Sequence, residues 1–276
     1  MNKTSKRDDK RLETPSGEVC NADGADVPKL FIFGVVGTLV NSGPRFARAF
    51  SLACQKAGLT PPDEDKVLSY LGDHSLNKII DDFFPDIDTE TEANLFRYSN
   101  EICDSLLHDK SWKETCFPVV HNLMRTLKDN AYEIGVFTGI RRAALDLTLR
   151  DQGLIEYMNP LYIAAKDNKR DAGKNSVALK ADQLKEIVSN YRAHYDLTAD
   201  QARRNIVVIG DSKSDKNAAQ LNGLVFLYFD PADEKPATLP KASGYQDLID
   251  FIEARQNDNV TGGGDEPPVN NPAPSA

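Results

Sequence analysis

Two aspartates that follow an apolar run have the clearest chemical potential in this sequence. Asp211 and Asp215 come after residues 206–209 (IVVI) and Gly210, a pattern that predicts a strand turning into a small-residue helix. Carboxylate oxygens at a strand end suit Mg²⁺, which binds few protein carboxylates and keeps several of its waters. The alternative interpretation is a turn of Asp and Ser residues that also provides a helix N-cap.

The elements that must position these side chains alternate along the chain, with short β-branched runs between helical patterns. This alternation predicts an α/β fold with a Rossmann-like parallel sheet, whose strands are continuously apolar because helices cover both faces. Ligands of such sheets bind at the carboxyl ends of the strands. The predicted strands are Lys29–Phe33, Glu133–Phe137, Pro160–Ile163, Asn205–Ile209 and Val225–Tyr228.

A long stretch without strand signals separates the first two predicted strands. It is too long for a loop and predicts a helical insertion after the first strand, at residues 43–113. The α/β core is then expected to comprise residues 29–42 and 114–256. The ends at 1–28 and 257–276 lack apolar periodicity, so we expect disordered tails. The helical patterns of the insertion cover residues 44–57, 64–71, 75–84 and 90–109.

Composition argues against several classes of protein. The formal net charge is −9, which disfavours a nucleic-acid binder because phosphates require a basic face. Since no apolar run is long enough to span a bilayer and no secretory signal is visible, we expect no membrane association and a cytoplasmic location. The four cysteines are widely spaced without a CxxC pair, which favours reduced thiols over a zinc site or disulfides.

The segment at residues 30–40 (LFIFGVVGTLV) resembles the opening motif of the haloacid dehalogenase (HAD) superfamily of phosphohydrolases. In that family the strand ends in Asp-x-Asp-Gly-Thr, where the first Asp attacks phosphorus and the second is a general acid/base. Here these positions hold Gly34 and Val36, which can neither form an aspartyl-phosphate nor transfer a proton. Taken alone, the segment also fits a buried strand and turn, or a mononucleotide loop that lacks the usual glycine patterns.

Two further segments resemble the parts of the family's site that bind the phosphoryl group. Thr138 and Gly139 follow a predicted strand, and the resemblance implies that the hydroxyl and the next backbone N–H bind phosphoryl oxygens. Taken alone, Thr-Gly after a strand is usually a plain turn. The family also has a lysine that neutralises the phosphate. Lys180, which opens a predicted helix, is the first candidate and Lys174 the alternative, although lysines here also fit a solvated charged face.

Asp211 and Asp215 fall on the family's magnesium motif, and the resemblance adds the Val36 carbonyl as a further ligand. Because position 34 is no longer a carboxylate, we expect Mg²⁺ binding to be weak or lost. The resemblance covers roughly residues 29–255, with phosphoglycolate-phosphatase-like members as the nearest match. It implies that the helical insertion at residues 43–113 is a cap.

The function that the resemblance implies is that of a HAD-like protein without phosphatase catalysis, which binds a phosphorylated small molecule or a protein partner. One alternative is an active Mg²⁺-dependent phosphatase of small phosphate monoesters, with water on an Asp211-bound metal as a substitute nucleophile. Another is a purely structural or interaction protein that docks a partner through its tails. Turnover of a phosphate ester separates the first two, and a phosphate-induced rise in melting temperature separates the first from the third.

Overall fold

The computed structural model describes residues 27–70, 76–109, 112, 114–167, 170–171, 173–229 and the backbone of 241–242. Apart from Val27 and Pro28, the two predicted tails lie outside the described residues, as does the predicted end of the core at residue 256. Within the described ranges, strands and helices alternate along the chain, as an α/β fold requires.

A parallel sheet forms the centre of the described structure. The strands are β1 (Leu30–Gly34), β2 (Val40–Asn41), β3 (Thr115–Cys116), β4 (Glu133–Arg141), β5 (Ile163–Lys166), β6 (Ile206–Gly210), β7 (Val225–Phe229) and β8 (Lys241–Ala242). The sheet has the order β5-β4-β1-β6-β7-β8, and each neighbouring pair is parallel. Strands β2 and β3 form a separate antiparallel pair. The predicted parallel α/β sheet is confirmed.

Helices surround the sheet and also form a group of their own between β2 and β3. Their bounds are α1 (Gly43–Lys56), α2 (Glu64–Tyr70), α3 (Leu76–Phe83), α4 (Thr89–His108), α5 (Val120–Asp129), α6 (Arg142–Asp151), α7 (Ser176–Tyr195), α8 (Ala199–Arg204) and α9 (Lys213–Leu221). Short 3-10 turns cover Ile155–Tyr157 and Pro160–Tyr162. Among the described helices, none combines the length and apolar character needed to cross a bilayer.

The predicted strand Pro160–Ile163 is wrong in its position. Residues 160–162 form a 3-10 turn, because proline fits the first turn of a helix and the Asn159 side chain caps it by accepting the Leu161 N–H at 3.0 Å. The strand begins only at Ile163, as β5. The described sheet has six strands rather than the five predicted. The additional strand, β8, spans two residues and is too short to leave a sequence pattern.

The predicted helix start at Lys180 is also wrong. Helix α7 begins at Ser176, because the Asn175 side chain caps it by accepting the Ala178 N–H at 2.9 Å. Lys180 therefore lies in the second turn of the helix rather than at its N-terminus, and its position along the helix axis is set by the cap at Asn175.

Strand β1 separates the two hydrophobic clusters of the sheet, since alternate side chains of a strand point to opposite faces. Phe31 and Phe33 belong to the cluster that includes side chains of α5 and α6. Leu30 and Ile32 belong to the cluster formed with α7, α8 and α9. All four side chains are fully buried, so β1 is fixed in the middle of the sheet by packing on both faces.

The helices α1 to α4 have a hydrophobic cluster of their own. Phe50, Ile79, Ile80 and Leu95 are buried at its centre and come from three of these helices. The chain enters this helical group after β2 and leaves it before β3, which pair with each other in register.

A buried ion pair joins the helical group to α6. The Arg45 guanidinium of α1 donates from Nε to Glu114 Oε1 at 2.9 Å and from Nη1 to the Cys103 carbonyl of α4 at 2.8 Å. The second Glu114 oxygen accepts from the Thr148 hydroxyl of α6 at 2.8 Å. The Arg45 and Glu114 side chains are 5% and 3% exposed. Since buried charges require partners, removal of either one leaves the other uncompensated.

We expect Arg45→Ala to lower the free energy of unfolding by about 3–5 kcal/mol, the usual cost of orphaning a buried charge. Urea unfolding followed by circular dichroism measures this loss. Arg142→Ala is the matched control, because Arg142 pairs with Asp146 on the exposed face of α6, and its effect should stay within about 1 kcal/mol. Equal losses in the two variants would contradict the structural role assigned to the buried pair.

Candidate functional site

The carboxyl ends of three strands bring the predicted site segments to one edge of the sheet. Gly34 at the end of β1 pairs with Phe137 of β4, so Thr138 lies next to the end of β1. On the other side, β6 ends at Gly210 and is followed at once by Asp211. Ligands of parallel sheets bind at this edge, so the geometry places Thr138 and Asp211 where a ligand would meet both.

A tight loop follows β1 and lies against Asp211. The Val35 carbonyl accepts the N–H groups of Leu39 and Val40 at 2.9 and 3.0 Å. Gly37 has a φ of 81°, a backbone conformation that favours glycine. A Cβ atom at Gly37 would overlap the Asp211 carboxylate, so the close approach of the loop also requires glycine here.

The hydroxyl of Thr38 fills the space beside position 34. Thr38 is fully buried, and its Oγ1 donates to Asp211 Oδ1 at 2.7 Å. A Cβ atom on Gly34 would lie 2.9 Å from this hydroxyl and 3.7 Å from Asp215 Oδ2. A side chain at position 34 would therefore face the Asp215 carboxylate, and Thr38 would have to rotate to admit it.

Asp215 caps α9 and forms an ion pair at the same time. Its Oδ2 accepts from the Ser212 hydroxyl at 2.6 Å and from the Ser212 N–H at 3.2 Å, while the Asp215 N–H donates to Ser212 Oγ at 3.2 Å. These contacts form a capping box. Its Oδ1 lies 2.7 Å from Lys180 Nζ. The alternative interpretation of this segment, a turn with an N-cap, therefore describes what Ser212 and Asp215 do.

The two candidate lysines lie in different places. Lys180 Nζ, on a side chain that is 15% exposed, pairs with Asp215 and donates to Ser214 Oγ at 2.8 Å. Lys174 instead pairs with Asp171 and Asp182, at 3.0 and 2.7 Å. These two contacts raise the pKa of Lys174, with the Asp182 hydrogen bond as the larger cause. The structure thus brings Lys180 to Asp215 after β6 and leaves Lys174 in a separate ion-pair cluster.

Thr138 is buried, and its contacts fix the end of β4. The hydroxyl accepts the Ile140 N–H at 3.3 Å, and the Thr138 carbonyl accepts from Gln183 Nε2 of α7 at 2.8 Å. Strand β4 continues to Arg141, past the predicted strand end, with a shift in its register to β5 after Phe137. The hydroxyl proton of Thr138 is still able to point toward a ligand, since Ile140 uses the oxygen only as acceptor.

The residues at this edge do not fit a Mg²⁺ site. Asp211 and Asp215 supply carboxylate oxygens, but both are already bonded within the chain, to Thr38 and to Lys180 and Ser212 respectively. Position 34 offers no side chain, and the Val36 carbonyl is a weaker ligand than a carboxylate. In the part of the chain that the structure describes, no group of three or more His, Cys, Asp or Glu side chains could hold a metal ion. Mg²⁺ is usually held by one or two carboxylates and by waters, and here the two carboxylates are engaged by Thr38, Lys180 and Ser212.

A cavity of about 200 Å³ lies away from this edge, between α4 and α6. Glu114, Thr148 and Gln152 form part of its wall, and all three are hydrogen-bonded to their neighbours within the chain. None of the predicted site residues lines this cavity. We therefore place the candidate site at the strand ends, where the motif residues meet.

Sequence reasoning missed three side chains that shape the site. Thr38 belongs to the opening motif, but the sequence did not predict its hydrogen bond to Asp211. Ser214 contacts Lys180 and Gln183 holds the Thr138 carbonyl. No sequence signal pointed to Gln183, because its contact depends on the packing of α7 against β4.

We expect Gly37→Ala to destabilise the fold more than Gly58→Ala. Both glycines have positive φ, at 81° and 76°, so both variants incur backbone strain of about 1–2 kcal/mol. Gly58 has no atoms near its Cβ position, whereas Gly37 meets Asp211, so Gly37→Ala should lose about 1 kcal/mol more from overpacking. Urea unfolding of the two variants measures the difference. Indistinguishable losses would mean that the loop does not pack tightly against Asp211.

Comparison with known proteins shows which proteins this chain resembles. The family model described as haloacid dehalogenase-like hydrolase matches residues 31–229. Among curated proteins, a phosphoglycolate phosphatase of Nitrosococcus oceani is 23% identical over 194 residues, which cover 70% of this chain and 80% of that protein.

Solved structures share the fold at low sequence identity. A HAD-superfamily hydrolase of subfamily IA from Geobacter sulfurreducens matches with a TM-score of 0.56 and 17% identity, over 82% of this chain and 96% of that one. A HAD family hydrolase from Deinococcus radiodurans, solved with bound phosphate and sodium, matches with a TM-score of 0.54 and 15% identity, over 83% and 97% of the two chains. At such identities the likeness concerns the fold alone.

Proposed function

The chain belongs to the haloacid dehalogenase-like hydrolase family, and from that premise we propose that it binds a phosphorylated small molecule without hydrolysing it. The observation that carries the proposal is Gly34 at the end of β1, where the family has its nucleophilic Asp. Val36 likewise replaces the general acid/base. A glycine and a valine can neither attack phosphorus nor transfer a proton, and Thr38 already fills the space beside position 34.

The residues proposed to bind the phosphoryl group are Thr138, Gly139 and Lys180. Thr138 and the exposed Gly139 lie at the carboxyl edge of the sheet beside β1, where a hydroxyl and a backbone N–H suit an anion. Lys180 supplies the positive charge and lies against Ser212 and Asp215 at the same edge. We assign the lysine role to Lys180 rather than Lys174, because Lys174 is held by two carboxylates elsewhere.

The class of ligand is inferred from the family and its relatives. The Nitrosococcus oceani relative is a phosphoglycolate phosphatase, and the Deinococcus radiodurans hydrolase was solved with phosphate. We propose a small phosphate monoester for this chain on that basis. The helices α1 to α4 are proposed to act as the cap that selects it, because the chain enters them after β2, shortly after the loop that follows β1.

A second candidate function is an active phosphatase of small phosphate monoesters. It is favoured by the curated relative and by the presence of Asp211, Thr138 and Lys180 at one edge of the sheet. It requires a nucleophile other than position 34. A metal-bound water would need a metal that the remaining carboxylates do not fit, so we rank this function second.

We expect the native chain to release no p-nitrophenol from p-nitrophenyl phosphate in the presence of MgCl₂. The double variant Gly34→Asp/Val36→Asp should hydrolyse it at a rate at least about 100-fold above the background measured with the native chain. Restoring a general acid/base alone is worth about 10²–10⁴ in rate. Absorbance of p-nitrophenolate measures the rate. The added side chain at position 34 requires Thr38 to rotate, so circular dichroism must first show that the variant is folded.

The same assay contains the test of the second function. Activity of the native chain that is abolished by Asp211→Asn would overturn the proposal and establish an unrecognised nucleophile. Activity that survives Asp211→Asn would indicate a contaminating phosphatase. For this reason each variant is purified in parallel and assayed beside the native chain.

We expect orthophosphate to raise the melting temperature of the native chain, because a ligand that binds only the folded state stabilises it. Lys180→Met should lose the rise and Lys174→Met should keep it, each compared with its own ligand-free melting temperature. Differential scanning fluorimetry measures the shifts. No rise in the native chain would favour a protein partner over a phosphorylated small molecule. Equal rises in the two lysine variants would contradict the role given to Lys180.

A further inference from the structure

We infer that the site binds its anion without a divalent metal, an inference that rests on the proposed function and specifies the form of the ligand. The ligand is then a free phosphate or phosphate monoester, not its Mg²⁺ chelate. Three observations carry this inference: the bonds that the two carboxylates already make, the space beside position 34, and the balance of charge at the strand ends.

The first observation concerns the contacts of the carboxylates. Asp215 pairs with the Lys180 ammonium at 2.7 Å and completes the cap of α9 through Ser212. It is 2% exposed, so a metal would have to displace Lys180 from Oδ1 or break the cap at Oδ2 to reach it. Asp211 accepts the Thr38 hydroxyl at 2.7 Å. The cationic partner of the buried carboxylate is therefore a lysine of the chain itself.

The second observation concerns position 34. Its Cβ direction points between Thr38 Oγ1 and Asp215 Oδ2, at 2.9 and 3.7 Å. A carboxylate there would complete a cluster of three acidic side chains with Asp211 and Asp215. Glycine leaves that cluster incomplete, and the Thr38 hydroxyl takes the space. The site thus lacks a third carboxylate, which at position 34 would lie beside Asp215.

The third observation is electrostatic. Lys180, Asp211 and Asp215 together carry a formal charge of −1. Aspartates at positions 34 and 36 would make this −3, and a bound divalent cation would return it to −1. The native site without metal therefore carries the same formal charge as the site of a Gly34→Asp/Val36→Asp variant with bound Mg²⁺. A bound cation is often the largest local charge in a phosphate site. Here the absence of two carboxylates has the same effect on the formal charge as a bound divalent cation would have.

The test is isothermal titration of orthophosphate into the full-length chain, in EDTA and in MgCl₂, with Gly34→Asp/Val36→Asp as the comparison. For the native chain, we expect the dissociation constants in the two buffers to agree within about twofold. For the double variant, we expect MgCl₂ to tighten binding by about tenfold or more, because four carboxylates repel an anion unless a cation is bound. Titration of MgCl₂ alone should produce heat with the double variant and none with the native chain.

The outcomes separate this inference from the proposed function. Native binding that requires MgCl₂ would overturn the metal-free site and leave the proposed function standing. No binding in either buffer would overturn both. If the double variant does not fold, Asp211→Asn in the native chain replaces it. If the site is metal-free, Asp211→Asn should bind orthophosphate in EDTA more tightly than the native chain does, since one repelling carboxylate is gone. Weaker binding by the variant would contradict the inference.

Discussion

Strand β1 lies between β4 and β6, and the position of each candidate site residue depends on this pairing. Its side chains are buried alternately in the two clusters on either face of the sheet. A slip of one residue would exchange these faces and move Gly34 away from its partner Phe137. Because parallel strands end at a common edge, the register of β1 also determines that Thr138 and Asp211 lie on either side of the loop after β1.

Asp215 makes two structural contacts that do not depend on catalysis. It caps α9 through Ser212 and forms a buried ion pair with Lys180. The cap stabilises the helix whether or not a metal or substrate binds, and loss of Asp215 would leave the Lys180 charge uncompensated. The presence of Asp215 is therefore weak evidence for magnesium chemistry. Gly34 is stronger evidence about function, because a glycine on a fully buried strand end contributes neither packing nor charge.

Four of the five predicted strands are present because they are continuous apolar runs, whereas the predicted strand Pro160–Ile163 is misplaced. The sequence missed β2, β3 and β8 because two residues cannot form a pattern. The family motifs located the strand-end residues, since strand ends in this fold share one edge. The choice between Lys180 and Lys174 depended on where α7 begins, which Asn175 determines. The pairing of Lys180 with Asp215 depends on how α7 packs beside α9, and no short-range pattern carries that information.

The pairing of β2 with β3 has a consequence for how this fold can change. Val40 and Asn41 lie opposite Cys116 and Thr115, so the chain departs for the helical group and returns one strand spacing away, about 5 Å. In terms of connectivity, α1 to α4 form one long connection whose two ends lie side by side. The entropic cost of closing such a connection grows slowly with its length. Helices here can be lengthened, shortened or exchanged while the strand order stays the same. The fold thereby allows the helical segment between β2 and β3 to diverge independently of the sheet.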